Sequence, residues 1–210
     1  MPVIGAILTL AGGWLIGQRV SDRWERMKKQ RELDLAALAN LYGAYGEFYA
    51  VWKAWNSLAA ARLSAPADAR WVLLERATAA EGAIEAILIK IATERILTSA
   101  QVEALGALRQ SYRGLRYAIQ DDKPLAWDYS AHPDYTAFKG LQTHIAGLLT
   151  QNQGDRPTSC LAARNFARAT ANVYEQTWPD MAIKSNVYYP DGKDATDLNR
   201  PLLRDWQSGR

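Results

Sequence analysis

Residues that usually carry chemistry are scarce in this 210-residue chain. A single cysteine, Cys160, excludes both an internal disulfide and a cysteine-rich zinc site. Two histidines, His132 and His144, are twelve apart, and no Glu-x-x-His pair exists of the kind that di-iron bundles need. Phosphate-cradling loops are missing as well: nothing matches G-x-x-x-x-G-K-[ST], nor a G-x-G-x-x-G after a strand. No G-x-S-x-G elbow occurs, and the chain lacks the strand such an elbow requires. Alternating strand patterns are absent, apart from a short possibility at 186–189. These absences leave no catalytic residue, no metal site and no cofactor to expect. A non-enzymatic protein is the reading they favour.

Charge of one sign is also in short supply, except in one place. Lys and Arg number 25 against 22 Asp and Glu, a formal net charge of +3. Six of those cations (Arg19, Arg23, Arg26, Lys28, Lys29 and Arg31) and two anions (Asp22 and Glu25) lie between Arg19 and Arg31, a local net of +4. The remaining 19 cations and 20 anions make the rest of the chain slightly acidic, at −1. A diffuse basic surface for nucleic acid is therefore disfavoured. What matters is what stands beside the basic collar.

Beside it lies an uncharged run from Pro2 to Gly17, in which Thr9 is the only hydroxyl. Sixteen helical residues reach ~24 Å, somewhat short of a ~30 Å hydrocarbon core. Snorkelling of Arg19 and Arg23 and local thinning of a bilayer lessen the mismatch. A secretory signal fits poorly, because the cations follow the apolar run instead of preceding it. Residues 1–20 are accordingly expected to be a transmembrane anchor. The positive-inside rule places its N-terminus outside and the remaining chain in the cytoplasm. The alternative is an apolar helix buried in the core of a soluble assembly. Gly5, Thr9, Gly13 and Gly17 recur every four residues and share a helix face, a small-xxx-small pattern that lets helices approach closely in lipid. Self-association through that face is expected.

The body, residues 21–178, predicts an all-α fold: a long helix continuing from the anchor, within a bundle of four to five helices. No proline or glycine interrupts the chain between Ser21 and Gly43, so the first helix is expected to run to about Leu63. Leu35, Leu38, Tyr42, Tyr45, Tyr49 and Trp52 form a heptad-like stripe and are expected in the core, with Phe48 and Trp55 broadening it. Gly43 and Gly46 suggest that another helix packs closely there. Further helices are expected over 67–97, from a T-x-x-Q capping box at Thr98 to about 120, over 134–151, and over 158–177. Residues 179–210, rich in Pro, Asp and Asn, read as an irregular tail lying on the bundle or on a neighbouring subunit.

Two charged groupings remain. Glu81 and Glu85 share a helix face, and Arg109, Arg113 and Arg116 form a stripe on the next helix, so opposed stripes are expected to pair. Mixed with Tyr112 and Tyr117, the arginines are also a candidate anion site. Glu47, set among aromatics, needs an Arg from another helix if it is buried.

The short glycine-rich anchor, the RVSDRWERMKKQR stretch and the LYGAYGEFYAVWKAWN helix together resemble small bacterial membrane-anchored helical proteins that accompany phage-defence systems. The resemblance covers about the first sixty residues and transfers no catalytic residue. It implies an effector or accessory subunit at the inner membrane, with the lipid bilayer, further copies of the chain and a second protein subunit as partners. The alternative is a soluble helical oligomer that binds an anionic ligand or nucleic acid through Arg109, Arg113 and Arg116.

Overall fold

A computed structural model describes residues 2–60, 67–125, 127, 132–151 and 155–184, with side chains over 18–58, 68–125, 127, 132–151 and 155–182. Six α-helices pack as a bundle: α1 (Pro2–Ala60), α2 (Ala67–Glu94), α3 (Ser99–Gln120), α4 (Pro133–Thr150), α5 (Ser159–Ala169) and α6 (Trp178–Lys184), with a 3-10 turn at Asn172–Tyr174. The C-terminal stretch from residue 185, including the strand possibility at 186–189, lies outside the described residues.

Helix α3 is central and touches every other helix of the bundle. Thr98 caps it as expected: its hydroxyl accepts from the Gln101 amide at 3.3 Å, and Gln101 Oε1 accepts from the Thr98 amide at 2.8 Å. Two orphan amides are thereby satisfied at once. At the other end Asp122 adopts φ 57°, the left-handed conformation that lets the chain leave a helix. Arg70 of α2 donates to the Ile119 and Gln120 carbonyls at 3.1 and 2.5 Å, satisfying acceptors that the helix itself leaves open.

The apolar residues that recur at helical spacing on these helices, from Leu73 to Ile91 on α2, Val102 to Ile119 on α3 and Phe138 to Leu149 on α4, form their buried inward faces. The region expected to be one helix from 158 to 177 is instead α5 followed by the 3-10 turn, with α6 beginning only at Trp178, and Val173 is exposed. Pro179 does not lie beyond the last helix but in the first turn of α6, where its missing N–H has no partner to lose. Trp178 and Ala182 of α6 are buried against the bundle, so the beginning of the presumed tail is part of the core.

Helix α1 departs most from expectation. Its 59 residues reach ~88 Å, far beyond the other helices. No helix among the described residues is long and apolar enough to cross a membrane. The transmembrane span expected over 1–20 falls mostly on residues 1–17, whose side chains lie outside those described. The core face of α1 also differs. Ala37, Leu41, Ala44, Phe48, Val51 and Trp55 are buried, whereas Leu35, Tyr42 and Tyr49 of the expected stripe are 55%, 58% and 42% exposed. Only Trp52 of that stripe is fully enclosed; Leu38 and Tyr45 are half-buried. A Cβ at Gly43 or Gly46 would meet nothing within 4 Å, so these glycines do not serve close packing inside the chain.

Candidate functional site

The structure draws attention to the place where α1 leaves the bundle. Every side chain from Gln18 to Lys29 is exposed, so this stretch, about 18 Å of helix, stands clear as an arm. All the collar cations Arg19, Arg23, Arg26, Lys28, Lys29 and Arg31 are exposed. Among them Val20, Trp24 and Met27 are 56%, 70% and 64% exposed. The expected self-association face of Gly5, Thr9, Gly13 and Gly17 belongs to the stretch of α1 whose side chains lie outside those described.

An ionic clasp fixes the base of the arm. Asp34 of α1 accepts from Lys90 at 3.0 Å and from Arg95 at 3.1 Å. Lys90 also reaches Glu94 at 2.5 Å, and Gln30 donates to Glu94 at 3.0 Å. Arg95, buried, spends its other donors on the Gln151 and Leu149 carbonyls at the end of α4. A buried guanidinium with a carboxylate and two carbonyls loses little of its hydration without compensation. Three elements (α1, α2 and the end of α4) are thus tied at one point, and the arm leaves in a set direction. Sequence reasoning missed this cluster; its one local signal is the Lys90–Glu94 pair, four apart on a helix.

Below the clasp the core of α1 is aromatic. Phe48 lies 4.4 Å from Phe138 and 5.0 Å from Tyr112, ring centre to ring centre, and Trp127 packs at 5.6 Å. The Tyr45 and Tyr135 hydroxyls hydrogen-bond at 3.1 Å, and burial together with that contact pushes Tyr135 up to about 12. Trp55 donates to the Lys123 carbonyl, and Asn56 exchanges two hydrogen bonds with Leu125, fastening the loop after α3. The rings fill this space themselves.

Glu47 has the partner its setting required. Arg76 of α2 grips both carboxylate oxygens at 2.6 and 3.0 Å, and the hydrogen bond holds the Glu47 carboxyl below its usual range. The opposed stripes also meet: Arg116 reaches Glu81 at 2.6 Å and Arg109 reaches Glu85 at 3.2 Å. Arg109 additionally donates to the Thr170 carbonyl, and Arg113 to the side chain of Asn172. The three arginines therefore join α3 to α2 and to the turn after α5. For the candidate anion site this means that each guanidinium already has an acceptor of its own.

The titratable groups singled out by type are dispersed. His132 caps α4, its Nδ1 accepting from the Asp134 amide at 3.2 Å, so it is structural and not a bare loop residue. His144 is half-buried with Nε2 unpartnered, and burial lowers its pKa. Cys160 is exposed. Among the described residues no group of three His, Cys, Asp or Glu is placed to hold a metal ion. No family model matches the chain, and neither a curated protein nor a solved structure matches it.

Proposed function

We propose that this protein is a non-enzymatic helical scaffold, anchored to a membrane through the N-terminal end of α1 and acting there as a homo-oligomer. The observation that carries the reading is the exposed arm: Trp24 and Met27 stand in solvent among six exposed cations, at the end of an uncharged sixteen-residue run. Apolar side chains ringed by Lys and Arg suit the boundary between acyl chains and anionic headgroups. The apolar run is the anchor held in lipid, with its N-terminal end toward the outside, and the collar holds the headgroups of the inner leaflet. Each cation near such a surface contributes ~1 kcal/mol, so the collar orients the molecule with its bundle on the cytoplasmic side of a bacterial inner membrane. Gly5, Thr9, Gly13 and Gly17 would bring neighbouring anchors into contact.

In this setting the bundle presents the molecule to partners, as an effector or accessory subunit of the phage-defence kind would. The bundle supports that role because its charged residues serve to hold helices together. Flotation of the full-length protein with vesicles tests the reading. The expected result is binding to vesicles containing phosphatidylglycerol, and weak binding to purely zwitterionic ones. Replacing Arg19, Arg23, Lys28 and Lys29 by Glu should lower the partition coefficient by a factor on the order of 10³. Equal recovery of native and substituted protein in the floating fraction, or none of either, would overturn it.

A further inference from the structure

We propose that the outer face of α1 is the docking surface for a second copy of this chain, aligned parallel and in register. The inference deepens the membrane reading in one respect: two arms must point the same way to reach one bilayer. The surface itself stands on separate observations.

Val20, Trp24, Met27, Leu35, Tyr42 and Tyr49 are 42–70% exposed and lie on one side of the helix. With Arg31, Leu38 and Tyr45 between them they are spaced 4-3-4-4-3-4-3-4. Two heptad stretches are thus joined by a single extra step of four at Arg31, a stutter that a coiled coil absorbs by local unwinding. The inner stripe of α1 is already consumed by the bundle. Of the second stripe, Leu38 and Tyr45 also touch the core and Tyr49 meets Trp52 at its edge, while the exposed remainder is left uncovered by the chain itself. Six side chains so exposed offer on the order of 700 Å² per copy, close to the ~800 Å² per partner of a stable interface.

Charge and shape favour a second copy over an unrelated partner. From Leu35 to Ala54 the outward positions of α1 carry one charge, Lys53, so docking desolvates almost none. Gly43 and Gly46 lie beside Tyr42 and Tyr49, and a Cβ at either would meet open space. A partner's ring can settle where the backbone is bare. In a parallel two-fold pair each such position meets its own copy, Tyr42 beside Tyr42 and Tyr49 beside Tyr49, with the two bundles on opposite sides of the paired helices. The two collars then repel. Repulsion between exposed charges is screened beyond ~8 Å at physiological salt, and an anionic leaflet neutralises it further. The pair is therefore expected to tighten as salt rises, the opposite of an interface held by ion pairs.

The test uses full-length protein in a Cys160→Ser background, with single cysteines placed at Trp24, Tyr42 or Tyr49. Each variant should form a disulfide with its own kind at micromolar concentration, while the parent with Cys160 alone should not. Tyr42→Glu with Tyr49→Glu should keep native helicity and, in protein dilute enough to be unpaired, the native melting temperature, because both sites are exposed, yet weaken the pair at least tenfold by light scattering. A monomeric mass for the native chain overturns the proposal. So does cross-linking only between Trp24→Cys and Tyr49→Cys chains, which marks an antiparallel pair. Flotation of the same samples is read separately. Self-linking at Tyr42→Cys without flotation would sink the membrane reading and leave the surface standing; flotation without any self-linking would do the reverse.

Discussion

The two faces of α1 are alike in hydrophobicity and opposite in fate. Ala37, Leu41, Ala44, Phe48, Val51 and Trp55 face the bundle, and Leu35, Tyr42 and Tyr49 face out, although the inner set recurs every three or four residues and the outer set every seven, both periods that keep residues on one side of a helix. Apolar mass favours the inner set, with Phe48 and Trp55, but mass alone does not say where each large or small side chain must fall. Fit decides instead. Ala37 and Ala44 are small where α2 comes near, and Phe48, Trp52 and Trp55 are large where α4 and the Trp127 loop leave room. Close packing rewards matched shapes at a given depth, so one stripe is enclosed and its rival is left for something else.

Adjacent residues on these faces provide the strongest way to break the comparison. Phe48→Ala removes a ring packed among Phe138, Tyr112 and Trp127 and should cost ~3–5 kcal/mol. Tyr49→Ala, one position along, should cost less than ~0.5 kcal/mol in the separate chain. Urea titration measures both. Similar losses at the two positions would mean that the faces are not functionally distinct.

Much of this arrangement was legible beforehand, and the exceptions share a cause. The Thr98–Gln101 box, the inward faces of α2, α3 and α4, the Glu47 partnership and the opposed Glu81–Arg116 and Glu85–Arg109 pairs all follow from local spacing plus short connections. The choice between two amphipathic faces of α1 does not, because it depends on the shapes of helices far along the chain. The same holds for the clasp, in which Asp34 meets Lys90 and Arg95 from 56 and 61 residues away.

Glycines sharpen the contrast at lower amplitude. At Gly106 the ring of Tyr174 occupies the space a Cβ would need, whereas at Gly43 that space is open. Gly106→Ala should therefore cost ~1–3 kcal/mol, since ring and backbone must shift apart. Gly43→Ala should raise the stability of the unpaired chain by up to ~1 kcal/mol through helix propensity. Thermal melts of dilute protein should show shifts of opposite sign. On the docking reading, Gly43→Ala carries a second signature: the pair weakens while the single chain grows firmer, because the added methyl fills space left for the partner's ring.

The smallest effect is read with protons. His144 is half-buried with its Nε2 unpartnered, and burial lowers its pKa from the ordinary 6.5. The fold therefore favours the neutral ring, and the unfolded chain binds the proton more readily. Stability from this site is fully present above pH 6.5 and is lost as pH falls below it toward the lowered folded value. Glu47, also lowered, loses its contribution only below its ordinary 4.5, so it is silent through the first part of that window. Asp134 is raised from 3.8 by burial and acts in the opposite sense, gaining stability as the solution turns acid. A comparison of variants separates them. Between pH 7 and pH 5 the melting temperature of the native chain should fall more steeply than that of His144→Gln, which has no proton to accept. Parallel slopes would show that the ring is charged in the fold and that its nitrogen has found a partner. No such difference is expected from substitutions on the outer face of α1, where Tyr42 and Tyr49 are exposed and far from the His144 ring in the sequence.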